Sequence, residues 1–271
     1  MKLVVLVDNN TLIDRYYYGE PAVCYYIEDG NNRLLLDVGY SDIFIKNAEL
    51  LSIDLTQVDT IVLSHGHNDH TRGLKYLVNK IDLKQIKVVA HPDAFKPKIF
   101  AQQPVGAPFN AQQLTKMCSL QLSKTPINIT SNITFLGEIP SLNEFEQRQQ
   151  LGTIVDEQQS LTKPDYVMDD SALVYRGKEG LFIITGCSHS GICNIVEYAK
   201  QVCNEQKVAG IIGGFHLLEV SEQLHRTIEY FVENNIKLLY PCHCVSFSAK
   251  AELNSAIPIE EVGVSLTIEI D

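Results

Sequence analysis

Three histidines and an aspartate fall within six residues of this chain, in the run Ser64-His65-Gly66-His67-Asn68-Asp69-His70. The run follows Thr60–Leu63, an apolar segment with the length and composition of a buried strand. Packing has no use for such a cluster, because every buried imidazole or carboxylate needs its own hydrogen-bond partner. Metal ligation does have a use for it. Residues two apart in extended chain point the same way, so His65 and His67 can grip one cation together. A turn beginning near Asn68 would bring Asp69 and His70 round to a second cation. Gly66 removes a side chain where the backbone is expected to run close to the ions.

The chain has eight histidines, and six of them lie at expected strand ends. His189, His216 and His243 follow the apolar segments Leu181–Thr185, Val208–Gly213 and Ile236–Tyr240. In open α/β sheets ligands gather at the carboxyl edge, where several loops converge. A lone histidine there serves more often as a hydrogen-bonded polar residue than as a ligand. His91 and His225 fit no such pattern, and His225 is expected on a solvated helix face. Cys187 is a further candidate ligand. Cys242 and Cys244 are read as packing residues, since no second cysteine pair stands at zinc-finger spacing.

Lys2–Val7, Val23–Ile27 and Arg33–Asp37 read as strands, Ile43–Leu51 and Gly73–Lys80 as helices, and Ile86–Ala90 as a buried strand. Gly177-Lys178-Glu179-Gly180 between two apolar runs is a hairpin signal. Three strand-to-helix units and a last strand, Val264–Ile270, close the chain. Strands first, then alternating strands and helices, imply an α/β (α+β) fold of mixed sheets with helices on the outer faces. Residues 1–271 are expected to form one domain. About 95–163 has weak periodicity and one clear strand, Ile133–Leu136, and reads as an irregular insert or lid, with a homodimer left open.

The balance of 22 basic to 33 acidic residues gives a net charge of -11, which disfavours a nucleic-acid partner. No apolar stretch approaches the roughly 18–20 residues of a membrane helix, and the first residues lack the apolar core of an export signal. Seven cysteines without such a signal read as reduced thiols, so the expected compartment is the cytoplasm and the expected partner a small molecule.

His65-x-His67-x-Asp69-His70 after a strand resembles the hallmark of the metallo-β-lactamase superfamily. Leu34-Leu35-Leu36-Asp37-Val38-Gly39 resembles its upstream strand, which ends in an acid that orients a metal-binding histidine. The resemblance implies a four-layer αββα sandwich. A narrower likeness spans nearly the whole chain: Leu6-Val7-Asp8-Asn9, Gly137-Glu138-Ile139-Pro140, Thr185-Gly186-Cys187-Ser188-His189-Ser190-Gly191-Ile192, Gly213-Gly214-Phe215-His216-Leu217 and Pro241-Cys242-His243-Cys244 occur in order. Together they resemble the dihydropteroate-synthase-like subfamily. That group includes enzymes joining a dihydropterin diphosphate to an aminobenzene ribofuranoside phosphate, and others called metal-dependent hydrolases. Arg72 stands where such relatives carry glycine, and Ser141 where they often carry arginine.

The superfamily's usual third histidine motif is missing ahead of residue 172, where Asp165, Asp169 and Asp170 stand instead. His189 is the favoured replacement, with Asp170 left as a ligand, a supporting acid or a substrate contact. The expected centre places one cation on His65, His67 and His189 and a second on Asp69, His70 and His243, with Asp69 also counted as catalytic. Two divalent ions are expected, zinc first, with manganese or iron as alternatives. Such a pair acidifies bound water from 15.7 to about 7 and clamps a phosphoryl group. His216 is expected as leaving-group acid or phosphoryl contact, and the helix after Gly191 as an anion site. These readings imply a hydrolase of a small phosphorylated substrate. A pterin-type transferase and a non-catalytic metal-binding protein are the alternatives.

Overall fold

The computed structural model describes residues 1–156 and 161–271. Lys2–Val7 carries five consecutive apolar residues, and both of its faces are buried. Leu3 and Val5 enter one apolar cluster while Val4 and Leu6 enter another, as the period-two alternation of a strand requires. The same division runs through the hairpin Ala172–Gly177 and Gly180–Thr185. Leu173, Phe182 and Ile184 share the cluster of Leu3 and Val5, whereas Val174, Leu181 and Ile183 face a third cluster.

Those three clusters are the interfaces of four layers. Helix Ile43–Leu50 packs through Phe44, Ile45 and Ala48 onto the first sheet. Helices Ile192–Cys203, Glu222–Glu233 and Phe247–Ala256 cover the second, the last two capped by Ser221 and Ser246. Between the sheets lies the cluster of Leu3, Val5, Tyr25, Phe182 and Ile184. Full burial of each such side chain contributes about 1.5–3 kcal/mol.

The first sheet runs in the order Thr267–Glu269, Lys2–Val7, Cys24–Asp29, Asn32–Leu36, Thr60–Val62, Lys87–Ala90, Ser119–Leu122. The second runs Leu239–Pro241, Val208–Gly213, Gly180–Thr185, Ala172–Gly177, Ile133–Phe135, Ile127–Asn128. Both are mixed. Leu36 pairs in parallel with Val62, Ile184 with Ile212, and Gly213 with Pro241. The carboxyl ends of these parallel strands deliver Asp37, the 64–70 run, Cys187, His189, His216 and His243.

Three expectations change. The segment 95–163 is not uniformly irregular: Ser119–Leu122 extends the first sheet, and Ile127–Asn128 and Ile133–Phe135 extend the second. The strands Lys98–Phe100, Gln103–Pro104, Thr153–Asp156 and Leu161–Pro164 form a third, small sheet. Gly73–Lys80 holds only a four-residue α-helix, Leu74–Leu77, continued by turns. The last strand shrinks to Thr267–Glu269, because Ser265 adopts φ 78°, outside strand geometry. Among the described residues no helix is long and apolar enough to cross a membrane.

Candidate metal centre

Thr60–Val62 ends at Ser64, and the chain then runs extended to His67, which opens a single helical turn, Asn68–Thr71. The extended part keeps His65 and His67 on one side, with His65 Nε2 3.0 Å from His67 Nδ1. The turn swings Asp69 and His70 away from that pair. Gly66 is needed for a different reason from the one expected: a Cβ there would lie 2.1 Å from the Ala94 carbonyl oxygen, so it is protein backbone that approaches closely.

Two groups of donors result. His65, His67 and His189 form one, and Asp69, His70, Cys187 and His243 the other; within each group the ligand atoms lie within 4.8 Å of one another. Asp69 Oδ2 is 3.5 Å from His70 Nε2 and 3.4 Å from His243 Nε2. Cys187 Sγ is 3.2 Å from His70 Nε2. Ser188, at φ 60°, turns the chain between Cys187 and His189, and the two neighbours join different groups. Asp37, His216 and His243 also have φ between 50° and 58°. Residues other than glycine tolerate this region at a cost of about 1–3 kcal/mol each, and it recurs at functional sites.

A supporting shell fixes the rings. Asp37 Oδ2 accepts from Ser64 Oγ at 2.7 Å and lies 2.7 Å from His70 Nδ1, leaving His70 Nε2 free to ligate. Ser64 Oγ in turn lies 3.0 Å from His65 Nδ1. His243 is held by the N-terminal strand's end: its N–H donates to Asp8 Oδ1 at 3.0 Å, and its Nδ1 lies 3.1 Å from Asn9 Oδ1. Asp169 Oδ2 accepts from the Gly66 N–H at 2.7 Å, and Asp169 Oδ1 and Asp165 Oδ2 both bind Lys98 Nζ, at 2.7 and 2.9 Å. All three of these charged side chains are fully buried. Lys98 lies on the small third sheet, so this ion-pair triad ties that sheet to the metal loop. Nothing in the sequence around Lys98 marks it as buried.

The two groups differ in protonation. Burial, reinforced by neighbouring histidines, holds His65 and His189 well below the usual imidazole range. Burial, then the Lys98 cation, brings His67 down to about 4. Burial also acts on His70, but Asp69 and Asp37 outweigh it and hold that imidazole well above its ordinary value. For Asp69 burial opposes ionisation, and the surrounding His70 and His243 outweigh it, keeping the carboxyl well below its ordinary value.

Other expected residues land elsewhere. Asp170 joins neither group: its Oδ2 accepts from the N–H and hydroxyl of Ser190. The helix start after Gly191 is already occupied, since the Glu146 carboxylate accepts from Cys193 N–H at 2.9 Å and Asn194 N–H at 2.8 Å. It is therefore no free anion site. His216 lies beside His189, ring centres 4.4 Å apart. Burial, then His243, lowers its pKa. Cys242 packs between the sheets with its sulfur 3.1 Å from the Tyr25 hydroxyl, and Cys244 directs its thiol to the Cys187 carbonyl oxygen at 3.4 Å. His225 is half-exposed on its helix as expected, whereas His91 is buried against Glu138 at 3.1 Å.

Two hollows flank the donors. One, about 410 Å³, is lined by His67, Asn68 and Asp69 together with Tyr40, Phe100, Val105 and Leu151. Arg72 stacks on the Tyr40 ring at 4.1 Å, putting a guanidinium near its rim. The other, about 290 Å³, is polar, with His189, His216, Gln147, Gln149 and Gln223 among its walls.

The residues fit a pair of cations. Among the described residues neither ring nitrogen of His189, both buried, has a hydrogen-bond partner, and a cation ligated by one of them relieves that nitrogen's share of the cost.

The description of the metallo-beta-lactamase superfamily matches residues 17–201. The chain belongs to the metallo-β-lactamase superfamily. Within it, the chain is 35% identical over 252 residues to an uncharacterized protein of Methanocaldococcus jannaschii, covering 92% of this chain and 93% of that one. It is 30% identical over 265 residues to the 7,8-dihydropterin-6-methyl-4-(beta-D-ribofuranosyl)-aminobenzene-5'-phosphate synthase of the same organism, covering 92% and 89%. The solved structure of Tm1679, described as a metal-dependent hydrolase of the beta-lactamase superfamily, superposes with a TM-score of 0.83 at 28% identity, over 99% of this chain and 98% of that one. The four-layer fold and the subfamily likeness read from the motifs are thereby borne out.

Proposed function

We propose that this metallo-β-lactamase-fold protein is a metal-dependent hydrolase of a small phosphorylated substrate, with one divalent cation held by His65, His67 and His189 and a second by Asp69, His70 and His243. The observation that carries this reading is the separation of the donors into two adjoining groups beside an open hollow. Bound there, two cations would supply Lewis acidity toward a phosphoryl oxygen and acidify water.

The chain's own residues do the rest. Asp37 and Asn9 orient His70 and His243 through their Nδ1 atoms. Tyr40, Phe100 and Val105 offer an apolar wall to the organic part of the substrate and exclude water from it. Arg72, at the rim, suits an anionic group. His216 is neutral at pH 7 by the direction of its shift, so it supports a phosphoryl oxygen as an N–H donor better than it serves as a leaving-group acid. Seven cysteines, all free thiols, make the cytoplasm the proposed compartment.

A second reading, transfer of a diphosphate-activated group to an aromatic amine, is favoured by the aromatic wall and by the name of the 30% identical synthase. Anaerobic purification, metal quantification and assay against phosphodiesters and phosphomonoesters, beside His67→Ala, test both. Turnover lost in the variant supports the hydrolase. Two ions with no phosphoesterase turnover shifts the reading to the transferase, assayed next with a dihydropterin diphosphate and an aromatic amine.

A further inference from the structure

The metal loop and the apolar wall of the hollow beside it come from distant parts of the chain, and one buried carboxylate stands between them. Resting on the two-cation reading above, we propose that Asp169 is a positioning residue. It takes the Gly66 N–H with one oxygen and the Lys98 ammonium with the other, and so fixes the His65–His67 pair against the wall that holds the organic part of the substrate.

Gly66 is the residue between the two histidines, so the setting of its backbone decides how both rings leave the chain. It lies past the end of Thr60–Val62, outside the ladder of the first sheet. A buried N–H needs an acceptor, and Asp169 Oδ2 supplies a charged one at 2.7 Å. Asp169 Oδ1 is held in turn by Lys98 Nζ at 2.7 Å, which also binds Asp165 Oδ2 at 2.9 Å.

The wall is attached to the same triad. Phe100 lies two residues beyond Lys98 on one short strand. The Val105 N–H donates to the Lys98 carbonyl at 3.0 Å, and the Val105 carbonyl accepts from the Asn68 N–H at 2.8 Å. The Leu151 N–H donates to the Asp165 carbonyl at 2.8 Å. Phe100, Val105 and Leu151 face His67 and Asp69 across the hollow. Each wall residue is therefore joined to Lys98 or Asp165, and each of those reaches Gly66 through Asp169. Such a joint matters because a misplacement of about 1 Å between bound substrate and reacting groups can cost on the order of 10²-fold in rate.

Three variants separate this role from general stability. Asp169→Ala cuts the relay yet leaves Lys98 and Asp165 as a balanced pair. Asp169→Asn keeps an oxygen for the Gly66 N–H, and Asp165→Asn leaves the relay whole. Zinc affinity is read by chelator competition, in a His70→Ala background for the first group and a His67→Ala background for the second. Asp169→Ala should weaken the first group about 10–100-fold and leave the second unchanged. Asp169→Asn should recover most of that loss, and Asp165→Asn should stay near wild type. In the metal-free protein, amide exchange of residues 64–70 and 98–105 should rise together in Asp169→Ala, with 172–185 unchanged.

A first group untouched by Asp169→Ala, equal losses in both groups, or no recovery with Asp169→Asn would overturn the positioning role and leave the two-cation reading standing. No zinc bound in either background would overturn that reading instead. Exchange in the metal-free protein then decides the relay alone: faster exchange of 64–70 in Asp169→Ala supports it, and wild-type rates overturn it.

Discussion

The two donor groups sit side by side yet are built on different principles. His65, His67 and His189 are three imidazoles whose pKa values are all lowered, so at neutral pH they present lone pairs and no charge. Asp69, His70, Cys187 and His243 combine a carboxylate, a thiol and two imidazoles, one of them held protonated by its carboxylate neighbours. The first group is set for a cation before one arrives. The second must shed protons first. Their scaffolds differ as well: the first leans on the buried Lys98–Asp169 pair through Gly66, and the second on Asp37 and the N-terminal strand's end.

That contrast can be broken in graded ways. Lys98→Met leaves Asp165 and Asp169 as uncompensated buried charges, so the expected loss of stability is about 3–5 kcal/mol, read by urea unfolding. An unchanged unfolding midpoint would show that the triad does not clamp the third sheet. Under the proposed hydrolase reading, removing one donor from either group, by His67→Ala or His70→Ala, should lower turnover on the order of 10²–10³-fold, the loss of at least one transition-state contact. Residual activity differing between the two variants would rank the halves.

Asp37→Asn should weaken cation binding about 10–100-fold, mainly in the second group. Ser64→Ala, which frees His65 Nδ1 and takes one bond from Asp37, should weaken the first group most and the second less. Equal effects of the two variants on both ions would dissolve the distinction. Asn9→Ala, which removes two bonds to His243, one to its ring and one to its carbonyl, should cost about 10-fold.

The protonation contrast has its own signature. His70, with a raised pKa, carries its proton at pH 7 and must lose it on ligation, so affinity at the second group should fall as pH drops below that raised value. At the first group His67 competes with protons only near pH 4, and binding there should stay level across the neutral range. Calorimetric titration in buffers of different ionisation enthalpy would detect proton release from one half only. Release from both halves, or from neither, would contradict the assignment of charge.

Much of this was legible in the sequence because the chemistry is local. The 64–70 run places four donor side chains by one strand end and one helical turn, and Asp37 ends the neighbouring parallel strand, so short-range geometry suffices. What the sequence hid depends on long-range contact. Asp8 and Asn9 meet His243 across more than two hundred residues, and no local pattern encodes that approach. Lys98 lies in a three-residue strand between exposed neighbours, where a lysine is ordinarily solvated; only the folded chain shows that Asp165 and Asp169 surround it. Ser119–Leu122 carries no strand signal because it is an edge strand with two polar residues and little burial, so its sheet membership rests on backbone pairing. The contact that requires Gly66 is hidden for the same cause, since Ala94 approaches from a separate loop.

The most direct test is the zinc stoichiometry of the purified chain and of two single variants after dialysis against a fixed free-zinc buffer. The account predicts two ions per chain in the wild type and one each in His67→Ala and His70→Ala, with the retained ion in a different group each time. No retained zinc in the wild type, or a single ion lost identically in both variants, would contradict it.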